Sequence, residues 1–91
     1  MEQQVKIIKL SEVIALTKLS KTSIYERVKG GLIAPPFSLG GRSAGYYEHE
    51  IQGVLSAMAA GYSNKEIQAL VKSFIAKRKQ VANDLLASLA A

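Results

Sequence analysis

The fifteen residues LSKTSIYERVKGGLI, Leu19 to Ile33, decide how this chain is read. Ser20 has a hydroxyl that can accept a hydrogen bond from an orphan amide in the first turn of a helix. Ile24 and Val28 stand four apart and so share one face. Gly30 and Gly31 end the segment, because glycine takes the left-handed conformation after a helix at the least steric cost. The pattern predicts a short amphipathic helix from Ser20 to about Lys29. Its polar side is either a solvated surface or a surface that reads a partner.

The residues before this stretch predict a second short helix in front of it. Ser11 is the expected cap, Glu12 suits the positive end of the helix dipole, and the helix runs to about Thr17. Lys18 and Leu19 leave only a tight connection. Further upstream, VKIIKL (Val5 to Leu10) alternates imperfectly and reads as a short strand or an extended lead-in. Two short helices across a tight turn make a helix-turn-helix, with Leu10, Val13, Leu16, Leu19, Ile24, Val28 and Leu32 as its expected core. With Ile24 and Val28 inward, a helical projection turns Thr22, Glu26 and Lys29 outward and puts Ser23 and Tyr25 on the flanks.

Past Leu32 the pattern changes. Pro35 and Pro36 exclude helix, and Phe37-Ser38-Leu39 and Gly45-Tyr46-Tyr47 read as two short strands joined through Gly40-Gly41-Arg42-Ser43. The result is a small β-hairpin with Arg42 at its tip and Tyr46 and Tyr47 as packing anchors. From Glu48 to about Ala60, Ile51, Val54, Leu55 and Met58 follow a helical spacing, and Gly61 closes the segment. Ser63-Asn64-Lys65-Glu66 is a capping box, announcing a fourth helix. Its apolar positions, from Ile67 and Leu70 to Leu85 and Leu89, continue for about 25 residues, roughly 38 Å at 1.5 Å per residue. That is longer than the preceding domain needs for its own cover. The expected fold is therefore mainly α with a small β-hairpin: a winged helix-turn-helix over residues 1–62, then a long amphipathic helix over residues 63–91.

Ninety-one residues are enough for one small domain with a modest core. There is no cysteine, which removes disulfides and thiolate metal sites and fits a reducing, cytoplasmic setting. No apolar run approaches the roughly 20 residues that span a bilayer. The net charge of +5 points to a polyanionic partner, and its distribution is uneven. Residues 1–47 carry seven Lys or Arg against three acids, residues 48–64 carry only two Glu, and residues 65–91 carry five basic residues against two acids.

A major groove admits a helix, and short polar side chains at its N-terminal end can approach base edges. Lys21 would lie beside the phosphate backbone, Thr22 and Ser23 can bond bases or phosphates, and Tyr25 can reach a phosphate oxygen. Glu26 would be repelled by DNA unless it accepts from a cytosine or pairs with a neighbouring Lys or Arg, and an internal pair with Lys29 or a rim position is expected. An arginine framed by glycines at a hairpin tip, as Arg42 is, fits a narrow minor groove. Catalysis is not expected: the chain has one histidine, His49, read as an exposed residue of the third helix, with no carboxylate cluster and no phosphate loop. Neither a cofactor nor a metal is implied.

The residues from Lys6 to Ile51 also carry a resemblance. Leu10-Ser11-Glu12-Val13, Ser23-Ile24-Tyr25, Pro35-Pro36 and above all Leu39-Gly40-Gly41-Arg42-Ser43 closely resemble the AlpA-like phage and prophage regulators. More distantly, they resemble excisionases and the MerR-type winged helix-turn-helix. The resemblance implies a DNA-binding regulator whose second helix enters the major groove and whose wing touches the adjacent groove or backbone. Carried over residue by residue, Ser20 caps the recognition helix, Lys21, Thr22, Ser23 and Tyr25 face DNA, and Arg42 and Ser43 lie on the wing. Arg27 becomes a phosphate contact, and Lys29 joins the outward face. Family members often have Trp after the wing, where this chain has Tyr46-Tyr47.

Three roles fit these expectations: a transcription regulator on double-stranded DNA, an excisionase-like factor that bends DNA and recruits an integrase, and a protein-binding module docking on a recombinase, response regulator or packaging enzyme. The apolar face of the last helix suggests a homo-oligomer or tandem copies on DNA.

Overall fold

In the computed structural model, which describes residues 6–90, the elements are β1 (Ile7–Ile8), α1 (Leu10–Thr17), α2 (Lys21–Lys29), β2 (Phe37–Gly40), β3 (Ser43–Tyr47), α3 (Glu48–Ala59) and α4 (Asn64–Ala90). The architecture is mainly α, with a small antiparallel sheet, its hairpin and a long C-terminal helix, as the sequence predicts. Of the expected first strand, Val5 lies outside the described residues.

α1 is capped two residues earlier than expected. Its cap position is Lys9, whose carbonyl accepts from the Glu12 and Val13 amides at 2.9 and 3.0 Å, while the Glu12 carboxylate reaches back to the Lys9 amide at 3.2 Å. Because Glu12 satisfies the amide three positions before it, Ser11 falls inside the first turn and does not cap. The helix stops at Lys18, whose backbone is left-handed at φ 61° and whose amide donates to the Ile14 carbonyl at 2.9 Å. Ser20 caps α2 as expected, its hydroxyl accepting from the Ser23 amide at 3.1 Å. Gly31, at φ 76°, turns the chain away from α2.

The sheet order is β1-β3-β2, so β3 is the central strand. Ile7 pairs with Tyr47 and Ile8 with Tyr46 on one side, and Phe37 with Gly45 and Ser38 with Ala44 on the other. A bulge between Ser38 and Gly40 precedes the turn, which Gly40 and Gly41 enter at φ 101° and 56°. β3 runs directly into α3, and the first amide of that helix, from Glu48, donates to the Lys6 carbonyl at 2.9 Å.

Ile8, Val13, Ile24, Ile51 and Val71 are the largest fully buried side chains, joined by Ile33, Tyr46, Val54 and Ile67. Burial of each aliphatic chain contributes about 1.5–3 kcal/mol. Leu10, Leu19, Val28 and Leu32 pack against this cluster as expected, but Leu16 is 37% exposed. Leu10, Val13, Ile14 and Thr17 share the inward face of α1, and at 100° per residue Leu16 lies about 110° from its centre. Ile14 takes the place expected for Leu16. α4 opens with the full capping box: the Glu66 amide donates to the Ser63 hydroxyl at 3.2 Å and the Ser63 amide to the Glu66 carboxylate at 3.0 Å. Its first half supplies Ile67 and Val71 to the core. At 27 residues it spans about 40 Å, close to the 43 Å long axis of the molecule.

Candidate nucleic-acid interface

Ile24, fully buried, anchors α2, and this fixes what the rest of the helix shows to solvent. Lys21, Thr22, Tyr25, Glu26 and Lys29 are exposed, whereas Ser23 and Arg27 are half-buried on one flank. Thr22, Glu26 and Lys29 thus point outward as the projection predicts, and Tyr25, 49% exposed, joins them. The Lys21 ammonium lies 5.7 Å from the centre of the Tyr25 ring, a cation–π contact that holds both side chains over the N-terminal half of the helix. The Ser20 hydroxyl donates to that of Ser23 at 3.0 Å, so Ser23 helps to fix the cap. Glu26 makes no pair with Lys29: the two ion pairs among the described residues are Lys6–Glu48 and Glu50–Arg78. It borders an open depression with Ser23, Arg27, Leu32 and Asn64.

Arg42 and Ser43 are exposed at the end of the hairpin, where the left-handed glycines put them. Tyr46, in the central strand of the sheet, is only 3% exposed, and its phenol is pushed above the ordinary value of 10.0, first by burial and then by the charge of Tyr25. α2 is tied at its C-terminal end, where the Gln68 amide donates to the Gly30 carbonyl at 3.0 Å.

A second cluster holds the hairpin from behind, and sequence reasoning missed it. Arg78 of α4 donates from Nε to both Glu50 oxygens, at 3.1 and 3.2 Å, and from Nη2 to Glu50 and to the Pro35 carbonyl at 2.9 Å. Its guanidinium also lies 5.3 Å from the Phe37 ring and 5.5 Å from the Tyr47 ring, the first residue of β2 and the last of β3. Arg78 is thus the clasp between that helix and the hairpin. One signal was available: Arg78 stands four residues after Phe74 and three before Val81, inside the apolar stripe. His49 is likewise half-buried rather than exposed, between the rings of Tyr47 and Phe74 at 5.4 and 6.5 Å, with Nδ1 buried and without a hydrogen-bond partner. Two flanking aromatic rings draw it inward.

Among the described residues no group of three or more His, Cys, Asp or Glu is placed to hold a metal. Among the described residues no helix is long and apolar enough to cross a membrane.

No curated protein and no solved structure gives a significant match to the chain. The sequence model of the prophage CP4-57 regulatory protein (AlpA) family matches residues 6–58, the span that runs from β1 through the hairpin and almost to the end of α3. With more than half of its length matched, the chain belongs to the AlpA family of prophage regulatory proteins.

Proposed function

We propose that this protein is a sequence-specific DNA-binding regulator of phage or mobile-element genes, with α2 in the major groove and the β2–β3 hairpin on the adjacent groove or backbone. The observation that carries the reading is the exposed face of α2. Lys21, Thr22, Tyr25 and Lys29 are left free by a helix whose opposite side is locked through Ile24. Thr22 and Ser23 address base edges near the helix N-terminus, Lys21, Arg27 and Lys29 neutralise phosphates, and Arg42 enters the minor groove with Ser43 beside it. Residues 1–62 form the DNA-binding unit. Residues 63–91 add a partner-binding element rooted in the same core through Ile67 and Val71. The protein acts in the cytoplasm, needs no cofactor and catalyses no reaction.

The test is a mobility-shift titration on DNA flanking the gene, repeated at several salt concentrations. With Lys21, Arg27, Lys29 and Arg42 on phosphates, log Kobs falls against log salt with a slope of about −3 to −4. Changing Lys21, Thr22 and Arg42 together to Ala abolishes the specific shift. Full binding by that variant sinks the assigned face. Binding to a recombinase with no salt-sensitive DNA complex supports the docking-module role instead.

A further inference from the structure

The last third of α4 has an apolar side that the described residues leave uncovered. Every described residue beyond Arg78 is exposed. Val81, Leu85, Leu86 and Leu89 are 54%, 57%, 61% and 72% exposed, and Ile75 is 38% exposed. At 100° per residue, Phe74, Ile75, Arg78, Val81, Ala82, Leu85, Leu86 and Leu89 fall within one stripe about 140° wide. The domain covers the first part of this stripe and leaves the rest bare. Where cover ends there is a groove of about 250 Å³, its floor made by Tyr47, His49 and Phe74 and one wall by Val81, Ala82 and Leu85. It is smaller than the usual small-molecule site and open along a helix, which is the shape that receives another helix.

We infer that the occupant is a second copy of this chain, its α4 antiparallel to the first, so that each projecting helix end closes the other's groove. Charge decides the partner and its direction. Beyond Lys79 the helix carries no cation, so its projecting end has nothing to offer phosphate. Lys77 and Asp84 are seven residues apart and share one edge of the stripe. In an antiparallel pair, like edges meet in reverse, bringing Lys77 to Asp84 of the second copy and Asp84 to its Lys77. A parallel pair sets that edge against the other one, which carries Lys79. The area also suffices. At on the order of 100 Å² each, the five exposed aliphatic side chains show about 500 Å² per copy, and two copies bury about 1,000 Å², where specific interfaces begin. The contact is isologous and closes at two copies.

The test needs no DNA, so it stands or fails separately from the proposed regulator role. Sedimentation of the full chain at micromolar concentration gives a dimer. The Leu85→Asp/Leu89→Asp variant sediments as a monomer with an unchanged near-UV spectrum, which shows that the domain still folds. Asp84→Lys weakens the dimer at least tenfold, and Lys77→Asp/Asp84→Lys restores it. The chain has no cysteine, so single introduced thiols report direction. V81C, near the crossing point, cross-links on oxidation, and L89C does not. Cross-linking by both overturns the antiparallel arrangement. A wild-type monomer, or α4 that binds neutral lipid vesicles and does not dimerise, overturns the proposal as a whole.

Discussion

Replacing Arg78 by Met should be the most damaging single change outside the aliphatic core. The Glu50 side chain is 3% exposed and that of Arg78 18% exposed, so the pair is shielded from water on nearly every side. Methionine keeps an unbranched apolar stem but removes the guanidinium from the Phe37 and Tyr47 rings and leaves the carboxylate of Glu50 and the carbonyl of Pro35 without their donor. Removing one partner of a buried ion pair costs about 3–5 kcal/mol, and the neighbouring groove admits some water, so about 3 kcal/mol is expected. A chain of this size has a total stability of about 5–14 kcal/mol. The midpoint of thermal unfolding should therefore fall by about 12–24 °C. Glu50→Leu/Arg78→Met removes both charges and should come within about 1 kcal/mol of the parent, because the desolvation penalty goes with them. Urea unfolding followed by far-UV circular dichroism at neutral pH, taken around the double-mutant cycle, measures all three values. A loss below about 1 kcal/mol for the single change, or a double variant whose loss equals the sum of the singles, would refute the clasp.

Gly53→Ala gains about 1 kcal/mol of helix propensity in α3, but the new methyl would sit 2.7 Å from Phe74 Cζ and 3.3 Å from Cε2. Overpacking costs about 1–3 kcal/mol, so a net loss of about 1 kcal/mol is expected, relieved in Gly53→Ala/Phe74→Leu; a more stable single variant argues against tight α3–α4 packing. The Glu66 carboxyl is held below its ordinary value of 4.5 by the Ser63 amide and then the Ser63 hydroxyl. The capping box is therefore fully stabilising above pH 4.5 and is lost as pH falls through the lower folded value. Glu66→Gln should unfold with a flatter acid limb than the parent, as read from urea midpoints across that range. Tyr46 behaves in the opposite sense. Its phenol is raised above 10.0, so the unfolded chain releases the proton first and stability declines as pH climbs past 10. In Tyr46→Phe that alkaline decline should shrink, and an unchanged alkaline limb counts against the burial of the hydroxyl.

What the sequence disclosed was local. The Ser20 cap, the Gly30-Gly31 stop, the glycine turn before Arg42 and the Ser63–Glu66 box each lie within four residues, and each formed where its chemistry required. The hairpin and the exposed face of α2 followed from them. The errors came where two neighbouring residues competed or where distant segments met. Ser11 lost the α1 cap because Glu12 serves the Lys9 amide, and Leu16 lost its core place to Ile14. Arg78 meets Glu50 across 28 positions and Pro35 across 43, and no periodicity reports such a meeting. His49 was misjudged for the same reason, since its neighbour Phe74 comes from a different helix.

The central position of β3 bears on how the protein would meet DNA. A hairpin strand bonded on both edges at its base, continuous with a helix and gripped there by an arginine has little room to swing as a whole. On the proposed DNA-binding role, its ordering entropy would be spent when the chain folds rather than when it binds, and the duplex would be the member that bends. Selection among DNA sites would then fall partly on flexible steps that no side chain touches. A regulator and an excisionase could thus share this one fold and differ only in how sharply their sites are willing to curve.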